Sequence, residues 1–446
     1  MEDLLGLAER AVEAAIKEGA DQADSFSQRR RTVWVEIERN SIKSCGVTVD
    51  HGISVRAFID GGMGFAYTQR LDPESAKRTA ARAARLAGKA QPDPDFKSLV
   101  EPKKAGRVPN LYDREVAEMS IESVVDMAAA SLEAAESVSK DIIINGGISA
   151  SLNIYALSNS LGVAVEEEKT ALNIGVMAVV RRGSDVGSYY EWDVGRSLRD
   201  VKPEDVGVIA VERSMRYLGS RKVKTGTLPV VFGFTPAHSL MASTIAGAAN
   251  AENIQRERSY LIGKLGEKIA SSNLTIVDDG TIPGGVASST YDGEGSPKRR
   301  LTVVEDGVLR MYLHNSYTAN KAGVETTASA VRGSYRSTVG IGTSNIRISP
   351  GDWSLNEMIE ETREGIYFEL GWISGNPVTG DISKPIDFGF KIEDGELAYP
   401  VKNALIGSKV LHILGNIDAI SKDYREEPGL IMPAIRVREV RIAGAR

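Results

Sequence analysis

One cysteine, four histidines and no long apolar run set the first limits on this 446-residue chain. With Cys45 alone, no intrachain disulfide framework can form. Cys45 sits in a strand-like stretch with no base beside it in sequence, and is read as a small packed residue. The histidines are His51, His238, His314 and His412, all far apart. A zinc-binding peptidase helix needs two imidazoles about one turn apart with a glutamate to activate water. No pair here has that spacing, and His238 is followed by Ser239, Leu240, Met241 and Ala242. A phosphate-cradling GxxxxGK[ST] loop, a GxGxxG turn opening a helix and a GxSxG nucleophile elbow are also missing.

No run of about 18 apolar residues suggests a membrane span. The first twenty residues are acidic and helically periodic, unlike a secretory signal. Excess positive charge is lacking too: 54 basic against 60 acidic residues give a net charge of -6. No general field for nucleic acid or anionic membranes exists. The short basic clusters Arg29-Arg30-Arg31 and Lys298-Arg299-Arg300 read as solvated faces. These exclusions predict a cytoplasmic protein that takes neither nucleic acid nor membrane as partner.

What is present is an α+β pattern: N-terminal mixed helix and sheet domains, then a β-rich C-terminal domain with an embedded helix. Leu4, Leu7, Ala8, Ala11, Val12 and Ala15 form a helical stripe. Val33, Val35 and Ile37 alternate with polar residues as a strand does, and Ile53, Val55 and Phe58 mark a second. Asp60-Gly61-Gly62 is a turn, and an Ala- and Arg-rich helix spans 74–90. Residues 1–90 thus make one α+β domain, and the proline-bearing stretch 91–115 a linker. Residues 116–221 make a second domain, a helix followed by antiparallel strands broken at Gly146-Gly147 and at 159–162, then a polar helix over 203–217. Residues 222–446 form the β-rich domain, with one helix over 236–253.

Within that domain, Asp278-Asp279 and Asp292 with Glu294 lie in glycine-rich loops. Such carboxylates suit a hard cation or acid–base work, while Asp before Gly equally suits tight turns and caps. Both readings stand at this point.

The run SYLIGKLGEKIASSNLTIVDDGTIPGG from Ser259, then YDGEGSPKRR and EDGVLRMYLHNSYTANKAG, resembles the C-terminal domain of the TldD/PmbA (TldE) family. Further matches are ISGNPVTGD from Ile373, the terminal PAIRVREVRIAG, GISVRAFIDGGMGFAYT from Gly52 and SNSLGV from Ser158. The resemblance spans nearly the whole chain. It implies an HExxxH helix upstream of Ser259 in TldD-type subunits, completed by a C-terminal cysteine. Here the two histidine positions fall on Ala242 and Gly247, the glutamate position on Ser243, and no cysteine follows Cys45.

The resemblance therefore implies a metal-free TldE/PmbA-type subunit. Its expected partner is a TldD-type metallopeptidase chain carrying zinc, in a heterodimer that degrades or processes unfolded peptides held as extended strands. Ser259, Asp292, Glu294, Ser374 and Asn376 lie in family motifs and are expected to contact peptide. Two alternatives are a stand-alone peptidase with an unrecognised site, and a homodimer that binds peptides without cutting them.

Overall fold

The computed structural model describes residues 3–444. Helix α1 (Leu4–Lys17) is capped by Asp3, whose carboxylate accepts from the Gly6 N–H at 2.8 Å, and it buries the predicted stripe. Strands β1 (Gln22–Glu38) and β2 (Ser41–Ile59) meet at Arg39-Asn40, both with positive φ, the backbone that a two-residue hairpin requires. Asp60-Gly61 turns the chain again into β3 (Gly62–Thr68). Helix α2 (Pro73–Ala87) starts at the Asp72 cap and lies directly on β3. A Cβ on Gly64 would stand 2.0 Å from the Ala83 carbonyl oxygen, so only glycine permits that approach.

After the irregular proline-bearing stretch come α3 (Arg114–Ala117), α4 (Ile121–Val138), β4 (Ile142–Asn159), β5 (Ala164–Arg182), β6 (Asp185–Gly195) and α5 (Pro203–Arg216). All six strands form one antiparallel sheet in the order β3-β2-β1-β4-β5-β6. The pairing of β1 with β4 runs from Asp24↔Asn159 to Ile37↔Gly146. Segments 1–90 and 116–221 therefore share a sheet, a union between distant stretches that strand periodicity does not reveal.

The odd positions of β1 and the even positions of β4 face the helices. Helices α1 and α2 cover Ala23, Ile154 and Ala156, while α4 and α5 cover Val33, Val35, Ile144 and Ile148. Phe26, Trp34, Tyr155 and Ser149 point to the opposite face, part of which meets the C-terminal unit. Cys45 is exposed on β2. The expectation that it packs inside is thus corrected: opposite Val35 it shares the helix-side face, but at a stretch of β2 where it stays exposed.

The C-terminal unit begins at β7 (Arg221–Lys222) and β8 (Gly226–Phe232) and builds a 13-stranded mixed sheet. Its central strand, Leu430–Ala443, pairs antiparallel with β8 and parallel with Asn345–Ile348. Helix α6 (Phe234–Ser243) packs across these strands, placing Leu240, Met241 and Ile245 in the large core with Phe232, Phe368 and Ile435. The chain is α+β, with the embedded helix where it was expected. That helix is shorter than 236–253: it widens at Thr244–Ala248 and stops before the Asn250 cap of a further short helix, Ala251–Gln255.

Candidate functional site

Five residues separate Ala242 from Gly247. On an α-helix of 3.6 residues per turn, that spacing turns two side chains well away from each other. Here the segment Thr244–Ala248 is a π-turn, closed by the Ala249 N–H donating to the Thr244 carbonyl at 3.2 Å. Widening the turn to five residues brings positions five apart toward one side. The sequence favours this locally: the Ser243 and Thr244 hydroxyls both donate back to the Leu240 carbonyl, at 3.0 and 2.8 Å, and loosen the helical ladder. Met241, Thr244, Ile245 and Ala248 are buried, whereas Ala242, Ser243, Ala246 and Gly247 are half-buried along one flank.

A loop over residues 371–380 lies against that flank. A Cβ on Gly247 would sit 3.4 Å from Cβ of Pro377, and the Tyr260 N–H donates to the Pro377 carbonyl at 3.1 Å. Ser374 and Asn376 are exposed on this loop. The Asn376 side chain accepts from the Val378 N–H at 2.8 Å and so shapes the bend. Ser259 is buried: its hydroxyl donates to the Ala248 carbonyl at 2.6 Å and accepts from the Leu261 N–H at 3.0 Å. It fastens the end of the π-turn.

Asp292 and Glu294 are buried as well, at the contact between the two units. Glu294 accepts from the Ser316 N–H and hydroxyl at 2.8 and 2.9 Å, and pairs with Arg56 of β2 at 3.5 Å. Arg56 also grips Asp24 of β1, and Arg332 reaches the same carboxylate at 2.8 Å. The Asp292 carboxylate accepts from the Glu294 and Ser296 N–H groups at 2.9 Å and from the Ala330 N–H at 3.1 Å. Burial, followed by the charge of Glu294, pushes its pKa up to about 6. Both carboxylates, expected to contact peptide, take part in a joint between sheet and C-terminal unit.

A second joint lies alongside. Glu167 of β5 accepts from the Tyr155 hydroxyl at 2.6 Å, the Ser289 hydroxyl at 2.7 Å and the Thr290 N–H at 2.8 Å, and pairs with Lys169 at 2.9 Å. Asp278 accepts from the Ser344 N–H at 2.8 Å, and Asp279 from the Thr281 N–H and hydroxyl at 2.9 and 2.7 Å. Asp279 thus matches the turn reading, whereas Asp278 bonds across to a distant segment, and both close the strand Ile276–Asp279 instead of lying in a loop. Farther along the sheet's uncovered face is a trough of about 510 Å³, floored by Gly147 and Gly175 and walled by Trp34, Tyr190 and Trp192. Trp372, from the 371–380 loop, stands 5.7 Å from Trp192.

Family models match almost end to end: PmbA/TldA metallopeptidase domain 1 over residues 23–87, the central domain over 114–218 and the C-terminal domain over 225–444. The chain belongs to the PmbA/TldD metallopeptidase family. Among relatives of this family, metalloprotease PmbA of Escherichia coli O157:H7 is 27% identical over 412 residues, 92% of this chain and 87% of that one. An uncharacterized protein of Methanocaldococcus jannaschii is 27% identical over 434 residues, 96% and 97% of the two chains. The crystal structure of TldE from Thermococcus kodakarensis superposes with a TM-score of 0.90 at 27% identity, covering 98% of this chain and all of that one.

For a PmbA/TldD protein, the metal question turns on the π-turn. Ala242 and Gly247 offer no side-chain lone pair, and a neutral serine hydroxyl at 243 is no substitute for a carboxylate base. Among the described residues, no three His, Cys, Asp or Glu side chains gather to hold an ion. His238 is hydrogen bonded to the Ile346 carbonyl at 3.0 Å, His314 to Thr318 at 3.2 Å and His412 to the Glu439 carbonyl at 3.0 Å. The donor set at this helix does not fit zinc. The sequence reading missed Asp24, Arg56, Glu167 and Arg332. The one local signal was an ionisable residue on a buried strand, as in Ser54-Val55-Arg56-Ala57.

Proposed function

We propose that this chain is the non-catalytic, TldE/PmbA-like subunit of a metallopeptidase complex that degrades or processes unfolded peptides in the cytoplasm. The observation that carries the reading is the π-turn with Ala242, Ser243 and Gly247 at its half-buried flank: the widened helix is kept without residues that bind metal. A TldD-type partner in a heterodimer would contribute the zinc, which activates water and polarises the scissile carbonyl.

This chain's own part is to wall the chamber and hold the peptide. The exposed 371–380 loop, with Ser374 and Asn376, flanks the π-turn and presents Trp372 beside the aromatic trough. An extended peptide fits such a surface through main-chain hydrogen bonds and aromatic contacts, which favours broad sequence preference.

The test is metal content and peptidase activity of the purified chain, alone and with a TldD-type chain bearing HExxxH. The expected result is no stoichiometric zinc and no cleavage alone, with a stable complex and cleavage together. Stoichiometric zinc with cleavage by the isolated chain would establish a stand-alone peptidase. Failure to form any complex, with peptide bound by a homodimer, would establish a binding protein.

A further inference from the structure

The two basic clusters read from the sequence as separate solvated faces meet in the folded chain. Arg30 of β1 and Lys298 both line a cavity of about 220 Å³ between the six-stranded sheet and the C-terminal unit, and Lys169 and Arg332 line it too. Four cationic side chains thus converge from segments far apart in sequence.

Two of these cations have unspent capacity. Arg332 is 2% exposed and spends Nη2 on Asp24 and Nε on the Gly293 carbonyl, at 2.8 and 2.7 Å. Its Nη1 is buried without a hydrogen-bond partner. A buried donor left unmade is costly, and more so on a charged group, so Arg332 keeps positive charge at this wall that its protein partners do not fully use. The short ion pairs around the cavity are Arg332–Asp24, Arg56–Asp24 and Lys169–Glu167, and Lys298 is in none of them. Lys298 lies close enough to Asp278, Asp292 and Lys169 to bias all three electrostatically.

The only carboxylate lining the cavity is Asp292. Its oxygens are taken by the backbone N–H groups of Glu294, Ser296 and Ala330. Tyr155 and Ser289, also on the wall, bring hydroxyls. The result is a compact space rich in donors with a net positive lining, the chemistry that receives an oxyanion.

We propose that this cavity binds a small oxyanion, a phosphate or carboxylate group on a compact molecule, held by Lys298 against the cationic wall of Arg332 and Lys169, with Arg30 at the rim. The site is independent of peptide cleavage and of any partner chain. An occupant would bridge the two units where Arg332 and Asp24 already join them, so binding would also protect the chain against heat.

The test is calorimetric titration of the full chain with inorganic phosphate and, separately, succinate, at neutral pH and constant ionic strength set with sodium chloride. Saturable one-to-one binding of at least one probe is expected, with a raised melting temperature. Phosphate binding alone assigns the site to phosphate groups, and succinate binding alone to carboxylates. Lys298→Gln should weaken binding about tenfold or more, as loss of one charged hydrogen bond does. Because Lys298 also offsets the buried charges of Asp278 and Asp292, the variant's ligand-free melting temperature is measured alongside, and the loss of binding should exceed what that change in stability accounts for. Lys298→Arg should retain binding. No saturable binding of either probe, or unchanged affinity in Lys298→Gln, would overturn the proposal.

Discussion

Arg332 donates to Asp24 at 2.8 Å across 308 residues of chain, with 2% and 3% of the two side chains exposed. Burial alone would push the Asp24 carboxyl up, but the guanidiniums of Arg332 and Arg56 outweigh it and hold the pKa below the usual carboxylate range. The pairing stitches the first strand of the sheet to the C-terminal unit. It adds a buried ion pair to the apolar contacts that already join the units, such as Phe26 and Leu157 with Tyr335.

Asp24→Ala leaves two buried guanidiniums short of a partner. Breaking a buried pair of this kind costs about 3–5 kcal/mol, which urea unfolding at pH 7 should register. Because the folded pKa is depressed, this stabilisation is present above the ordinary carboxylate range and lost as pH falls. Asp24→Leu combined with Arg332→Met should cost less than the two single changes summed, since Arg332 is then not stranded and only Arg56, left with Glu294, loses a partner. Strict additivity would show that the pair is not the unit of coupling.

At Glu167, burial pushes the pKa up, yet the Lys169 charge, the Tyr155 hydroxyl and the Thr290 N–H bring it down to about 2. A folded pKa below the unfolded value means stability present above pH 4.5 and lost as pH falls toward 2. Glu167→Gln should therefore cost on the order of 2–3 kcal/mol at pH 7. The difference from wild type should shrink through the acid range. A difference independent of pH would mean that Glu167 acts through packing alone.

Helices α1 and α2 could be read in the sequence, because apolar spacing and the Asp3 and Asp72 caps agree. The strands were legible in pieces. Gly146-Gly147 suggests a turn, yet both residues sit inside β4. A Cβ on either would meet a backbone oxygen, that of Gly175 at 2.2 Å or that of Val35 at 2.5 Å. These glycines let strands approach closely, a use that local composition does not separate from turning. That positions 242 and 247 carry no ligand atom is a matter of residue type alone. The π-turn and the Asp24–Arg332 joint were not, since the first depends on hydroxyl back-bonding and the second on a register set 308 residues away.

Asp278 shows the opposite sign to Glu167. Burial raises its pKa to about 6, only partly offset by the Lys298 charge. The folded chain then holds a proton that the unfolded chain releases near pH 4, so this group's contribution to stability falls as pH rises from about 4 to about 6. Asp278→Asn keeps an oxygen to accept from the Ser344 N–H and removes the titration. Relative to wild type it should gain on the order of 2–3 kcal/mol between those pH values, at about 1.4 kcal/mol per pKa unit. Denaturant midpoints measured across that range check it, and a constant offset would refute the raised pKa.

The π-turn makes the last prediction geometric. If the widening at Thr244–Ala248 brings positions 242 and 247 to one side, histidines introduced there should meet a single ion. The double variant Ala242→His, Gly247→His should bind zinc with a measurable calorimetric signal that the wild type lacks. Two imidazoles leave a four-coordinate ion short of protein ligands, so affinity should stay well below that of a three-ligand site. Peptidase activity should remain absent, because Ser243 supplies no carboxylate to take the water's proton. The Gly247 side chain would also have to pass Pro377, 3.4 Å from its Cβ, so a modest loss of stability through a shifted 371–380 loop is expected. A folded double variant with no zinc binding at all would mean that the two positions diverge as they do on an ordinary α-helix. The argument that this fold keeps the frame of a metal helix without its ligands would then fail.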